Sequence, residues 1–139
     1  MNSAYTEIVI DAANNLYVNA TAGVLYSFDA TGRQRWTSPN QTGELMLGTG
    51  DELFVADSSG DLVTLSALDT TSGSTIWSRS LEATIGPWFS VLLTAGKHLV
   101  FCSRDNVVTA ISAGQEPSVD AQWPTVNGGP GQRRAALGR

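Results

Sequence analysis

The chain has 139 residues, 42% of them apolar and 15% charged, with a mean hydropathy of -0.04, enough for one domain with a real core. Its longest apolar stretches, such as Val91–Leu93 and Leu99–Cys102, run only a few residues, which excludes a transmembrane helix. The net charge is -5; because Arg133, Arg134 and Arg139 lie at the very end, residues 1–132 hold five basic against thirteen acidic residues, a body that repels phosphate backbones and excludes a nucleic-acid partner.

From the amino terminus, Met1–Asp11 shows no basic head followed by an apolar run, and the chain enters a strand almost at once. It is therefore expected to begin inside a larger protein, with no signal peptide here. The first strand pair is Ile8–Ile10, a polar turn Asp11–Asn15, and Leu16–Val18, followed by Gly23 and Val24–Tyr26. A second copy follows as Leu45–Leu47, turn Gly48–Glu52, Leu53–Val55, Gly60 and Leu62-Val63. The third is Val91–Leu93, turn Thr94–His98, Leu99–Phe101, Asn106 and Val107-Val108. In every copy the step across the turn is six residues (10 to 16, 47 to 53, 93 to 99). The next step, to Gly23, Gly60 or Asn106, is seven. Such self-similarity is the mark of a repeat architecture. Repeats are expected over about 7–39, 44–81 and 88–126, with a tail at 127–139, in one all-β segment spanning 1–139.

No stretch of a dozen residues has helical spacing, and almost every apolar run stops at Gly, Asn, Asp or Ser. The second strand of each copy is apolar at successive positions, which predicts burial on both faces. Stacked sheets provide that in propellers and solenoids.

The second half of copy two reads Ala67-Leu68-Asp69-Thr70-Thr71-Ser72-Gly73-Ser74-Thr75-Ile76-Trp77. Copy one, one residue shorter, reads Ser27-Phe28-Asp29-Ala30-Thr31-Gly32-Arg33-Gln34-Arg35-Trp36. This chemistry suits a tight hairpin: Asp accepts from turn amides and Gly takes the positive φ that closes the turn. The Trp then ends the returning strand with a large apolar surface. Losing Trp77 is expected to cost roughly 3–5 kcal/mol.

The spacing Ala67-x-Asp69-x-x-Ser72-Gly73-x-x-x-Trp77 resembles the tryptophan-docking motif of pyrroloquinoline-quinone-like (PQQ-like) β-propeller repeats, which usually have Thr where this chain has Ser72. Copy one keeps Asp29, Gly32 and Trp36. Copy three departs most: Ala110-Ile111-Ser112 lacks the Asp, and an insertion, Gly114–Asp120, precedes Trp123. The closing run Trp123-Pro124 to Pro130-Gly131-Gln132 resembles a stretch found at an end of bacterial propellers of this kind. The resemblance covers nearly the whole chain. It implies a partial β-propeller of about three four-stranded antiparallel blades, with Asp29, Gly32, Trp36, Ala67, Asp69, Gly73, Trp77 and Trp123 as its docking residues. Propellers need four to eight blades to close, so the chain is expected to be a C-terminal piece of a longer propeller, or else to close by assembling with other chains.

The repeat register also screens candidate sites. His98, the one histidine, aligns with Asn15 and Glu52 as a turn residue, which argues against a catalytic triad or zinc site. Asp57–Asp61 aligns with the turn at 19–24 and lacks the spacing of an EF-hand loop. Cys102, the one cysteine, aligns with Asn19 and Ala56 in a strand and is expected to be a buried small hydrophobe. Quinoprotein dehydrogenases of the wider family use a vicinal disulfide and calcium ligands, and a single Cys cannot supply that disulfide. The resemblance therefore carries the fold and no cofactor, metal or catalytic residue. Trp88, in Gly86-Pro87-Trp88-Phe89, has no counterpart in the other copies and is the candidate partner surface. The expected role is a non-catalytic scaffold or protein-interaction module whose partners are other blades of the same propeller or another protein chain, with an oligomer as the route to closure if the chain is not a fragment. By analogy the parent belongs to the bacterial envelope or is secreted. Two alternatives stand beside it: a fragment of a PQQ-dependent dehydrogenase, and a carbohydrate-binding propeller using Trp88.

Overall fold

The computed structural model describes residues 7–20, 23–41, 43–83 and 91–114. These form eleven strands: β1 Glu7–Ile10, β2 Leu16–Ala20, β3 Val24–Phe28, β4 Gln34–Pro39, β5 Glu44–Leu47, β6 Glu52–Ser59, β7 Leu62–Asp69, β8 Thr75–Glu82, β9 Val91–Leu93, β10 His98–Cys102 and β11 Val108–Ser112. Within each sheet consecutive strands pair antiparallel, giving sheets β1-β2-β3-β4, β5-β6-β7-β8 and β9-β10-β11. The architecture is a partial β-propeller, as the family resemblance implies. Trp88, Trp123 and most of the Gly114–Asp120 insertion lie outside the described residues. No helix long and apolar enough to cross a membrane occurs among those described.

The turns explain the seven-residue step. Gly23, Gly60 and Asn106 adopt φ of 72°, 62° and 63°. This left-handed region suits Gly and, among other residues, Asn. The shared spacing is thus a shared backbone requirement.

The core is divided by the middle sheet. One cluster joins Val9, Tyr17, Leu25 and Trp36 of the first blade to Leu45, Leu47, Leu53, Val55 and Leu68 of the second. The other joins Met46, Phe54, Ala56, Val63, Leu65 and Ala67 of the second blade to Val91, Leu93, Leu99, Phe101, Ile111 and Ala113 of the third. Strand pleating makes this possible, since successive side chains point to opposite faces.

Two expectations need correction. Burial on both faces of the second strand holds only for Leu53, Phe54 and Val55. In the outer blades Tyr17, Leu99 and Phe101 are buried, while Leu16, Val18 and Val100 are half-buried. The reason is that each outer blade packs against a described neighbour on one face alone. Cys102, expected to be buried, is exposed, because it points to the face of the third blade turned away from the second, opposite to Phe101.

Candidate functional site

The features with chemical character lie at the seams between blades and on the two outer faces. In the β3–β4 turn the Asp29 carboxylate accepts from Thr31 N (2.9 Å), Thr31 Oγ1 (2.6 Å) and Arg33 N (3.0 Å). In the β7–β8 turn the Asp69 carboxylate accepts from Thr71 N and Ser72 N (2.8 Å each) and from Ser72 Oγ (3.1 Å). These bonds favour the charged form. The Thr31 hydroxyl foremost holds Asp29 down at about 2, and the Ser72 amide foremost lowers Asp69. Both carboxylates thus fasten turns.

Beyond each turn lies a bulge at matching positions. Ser27 faces Trp36 while Phe28 faces Gln34, leaving Arg35 unopposed. Ala67 faces Trp77 while Leu68 faces Thr75, leaving Ile76 unopposed. The extra residue re-aims the side chain that follows it. Trp36 is thereby turned across the seam and left 9% exposed. Its Nε1 donates to the Thr70 carbonyl at 2.9 Å, and a Cβ on Gly73 would come within 2.5 Å of its ring. The Trp of one blade is seated on the Asp–Gly turn of the next. Within each blade the Trp meets an aromatic ring at equivalent positions, Tyr17–Trp36 at 5.8 Å and Phe54–Trp77 at 6.1 Å. Trp77 is only partly buried, against the second cluster. Gly32, in the first blade's turn, has no atom within 4 Å of where its Cβ would lie.

A second device, formed by glutamates, spans the seams. Glu7 Oε2 accepts from Leu45 N at 3.0 Å, and Glu44 Oε2 accepts from Val91 N at 3.0 Å. Each carboxylate reaches from the first strand of its blade to the first strand of the next. Asn19 Nδ2 adds a bond to the Gly43 carbonyl at 2.7 Å on the first seam. The available signal was a Glu immediately before the first apolar residue in copies one and two. Burial foremost, then repulsion from Glu44, pushes the Glu7 carboxyl up to about 7, against the pull of the Leu45 amide.

A folded-state pKa above the unfolded value means that the folded chain holds a proton the unfolded chain releases. Stability then falls as pH rises from about 4.5 to about 7. The melting temperature is expected to be lower at pH 8 than at pH 5.5, and Glu7→Gln should flatten that slope. Thermal melts of both proteins across this range check it; equal slopes would show that Glu7 is not the group responsible.

The outer faces are apolar. On the first blade Ile8 is 41% exposed, beside half-buried Leu16, Val18 and Phe28, and Tyr26 stacks on Phe28 with ring centroids 6.2 Å apart. On the third blade Leu92 and Val108 are 61% and 67% exposed, beside Val100 and Cys102. Exposed apolar groupings of this kind mark interaction surfaces. Between the second and third blades an open depression of about 660 Å³ is lined by Asp61, Leu62, Glu82, Ala83 and Asp105. Among the described residues no three His, Cys, Asp or Glu side chains are grouped to hold a metal ion. His98 is exposed at the start of β10. Asp57 belongs to β6, whose turn is shortened to Gly60-Asp61.

The family model described as outer membrane protein assembly factor BamB matches residues 12–132. The crystal structure of BamB from Moraxella catarrhalis is similar over 80% of this chain, with a TM-score of 0.54 and 22% sequence identity. The chain spans 34% of the length of that structure. None of the curated proteins matches it.

Proposed function

The chain belongs to the BamB family of PQQ-like β-propeller repeat proteins, and from that premise we propose that it is a non-catalytic scaffold that binds protein partners during assembly of outer-membrane proteins in the bacterial envelope. The observation that supports this reading is the family match over residues 12–132 on a frame of packed propeller blades. The carboxylates of perturbed acidity have structural partners: Asp29 and Asp69 hold turns, and Glu7 holds a seam. A scaffold needs a rigid frame with binding faces at its edges, and the seams supply the rigidity.

Deleting the coding sequence in the source organism is expected to reduce folded outer-membrane β-barrels, read by heat-modifiable mobility on gels, and complementation should restore them. Unchanged barrel levels would overturn the assembly role. Addition of pyrroloquinoline quinone and calcium to the purified protein should leave tryptophan fluorescence unchanged and support no alcohol-dependent dye reduction. Saturable quenching with turnover would instead place the protein among the quinoprotein dehydrogenases.

A further inference from the structure

The two glutamate clamps meet at one strand end. Glu7 Oε2 accepts from Leu45 N at 3.0 Å. The residue before Leu45 is Glu44, whose own Oε2 accepts from Val91 N at 3.0 Å. The strand end that receives the first clamp therefore carries the second. Leu45 and Val91 are both buried, and the two glutamates are half-buried. Glu44 lies close enough to Glu7 for the two carboxylates to repel.

The strands around this pair offer it no cation. β1 packs on β2 and β5, and β5 on β6; none of these four carries a Lys or Arg, and neither does β9. β2 places the neutral Asn19 opposite Glu7, and that side chain is occupied with the Gly43 carbonyl. Tyr17, also on β2, gives its hydroxyl to Asp11. β6 adds a further carboxylate, Asp57, whose backbone abuts Gly43, while Glu52 stands at its other end. An ionised Glu7 thus gains like charges from these strands and no counter-ion.

We propose that Glu7 and Glu44 work as one latch, in which loss of the Glu7 proton loosens the second seam as well as the first. Ionisation sets two carboxylates against each other across the end of β5. Two movements relieve this: opening of the first seam, which returns Glu7 to water, or withdrawal of Glu44 from Val91, which releases the second. Glu7 alone would act only on the first seam; Glu44 carries the effect to the third blade. Coupling of this kind is reciprocal, so removing either charge should quiet the other clamp. The closed form holds the Glu7 proton more tightly than an opened one. Opening is therefore suppressed below about pH 4.5 and grows as pH rises to about 7. The frame of blades is stiffest in mild acid.

Amide hydrogen exchange of the full chain, followed by NMR, reads each seam at the amide it holds. Protection factors remove the intrinsic pH dependence of exchange. Protection at Leu45 and Val91 is expected to fall together, by up to about tenfold per pH unit between 4.5 and 7. In Glu7→Gln, which keeps an oxygen acceptor for Leu45 N without the charge, both should hold steady across that range. In Glu44→Gln the Glu7 carboxyl carbon should titrate nearer to the ordinary carboxylate value than in the wild type. Val91 protection that ignores pH, or that falls equally in Glu7→Gln, would overturn the latch, as would an unchanged Glu7 midpoint in Glu44→Gln. An equal fall at Leu65, buried in β7, would show that the whole domain loosens rather than its seams, and would refute the device as well.

Discussion

Trp36→Ala is expected to remove about 3–5 kcal/mol from the stability of the fold, read as a fall in the urea midpoint with little change in slope. The side chain is 9% exposed, sits 5.8 Å from Tyr17 between ring centroids, and fills the space above Gly73 on the adjacent blade. Truncation would open a cavity at the seam and leave the Thr70 carbonyl without its indole donor. Against a total of about 5–15 kcal/mol for an ordinary domain, such a loss brings the protein close to unfolding. Trp36→Phe separates the two contributions. It keeps most of the apolar surface and loses the hydrogen bond, so it should cost nearer 1 kcal/mol. Trp77→Ala should cost less than Trp36→Ala, since part of the Trp77 ring remains in water. Equal losses at both positions would show that the seat on Gly73 adds nothing to burial within the blade.

Gly43→Ala is expected to have a comparable effect, roughly 3 kcal/mol or more, for a different reason. Gly43 has a φ of 119°, and a Cβ there would overlap the carbonyl of Ala56. Backbone cannot swing aside as a long side chain can. Its own carbonyl is also the acceptor for Asn19 across the seam. Gly60→Ala is the control. Its φ of 62° is also positive, but no atom lies within 4 Å of the added carbon. That substitution should cost only about 1–2 kcal/mol of backbone strain. Melting temperatures of the three proteins check the order, and similar losses for Gly43 and Gly60 would show that conformation alone, without the clash, governs both sites.

Local chemistry was legible before any coordinates. Asp29 and Asp69 bond amides two to four residues away, so their turns are written in five or six consecutive residues. The same holds for Gly23, Gly60 and Asn106, where one backbone angle imposes one position in the repeat. The seam contacts were not legible in this way. Trp36 meets Thr70 across 34 residues, Glu7 meets Leu45 across 38 and Glu44 meets Val91 across 47. Periodicity reports that a Trp or a Glu recurs, and says nothing about which carbonyl or amide it reaches.

By itself, then, the sequence determined the all-β class, the repeat register, the turn residues and membership of a propeller family, because each depends on backbone angles and short-range hydrogen bonds that recur at a set spacing. Tertiary structure alone decided which faces are buried. Leu16, Leu53 and Leu99 occupy one register position, yet Leu53 and Leu99 are buried and Leu16 is half-buried, because only the latter two face another described blade. Cys102 is exposed for the same reason. Burial is a property of what stands opposite a residue, and in a stack of near-identical sheets that depends on the place of the sheet in the stack.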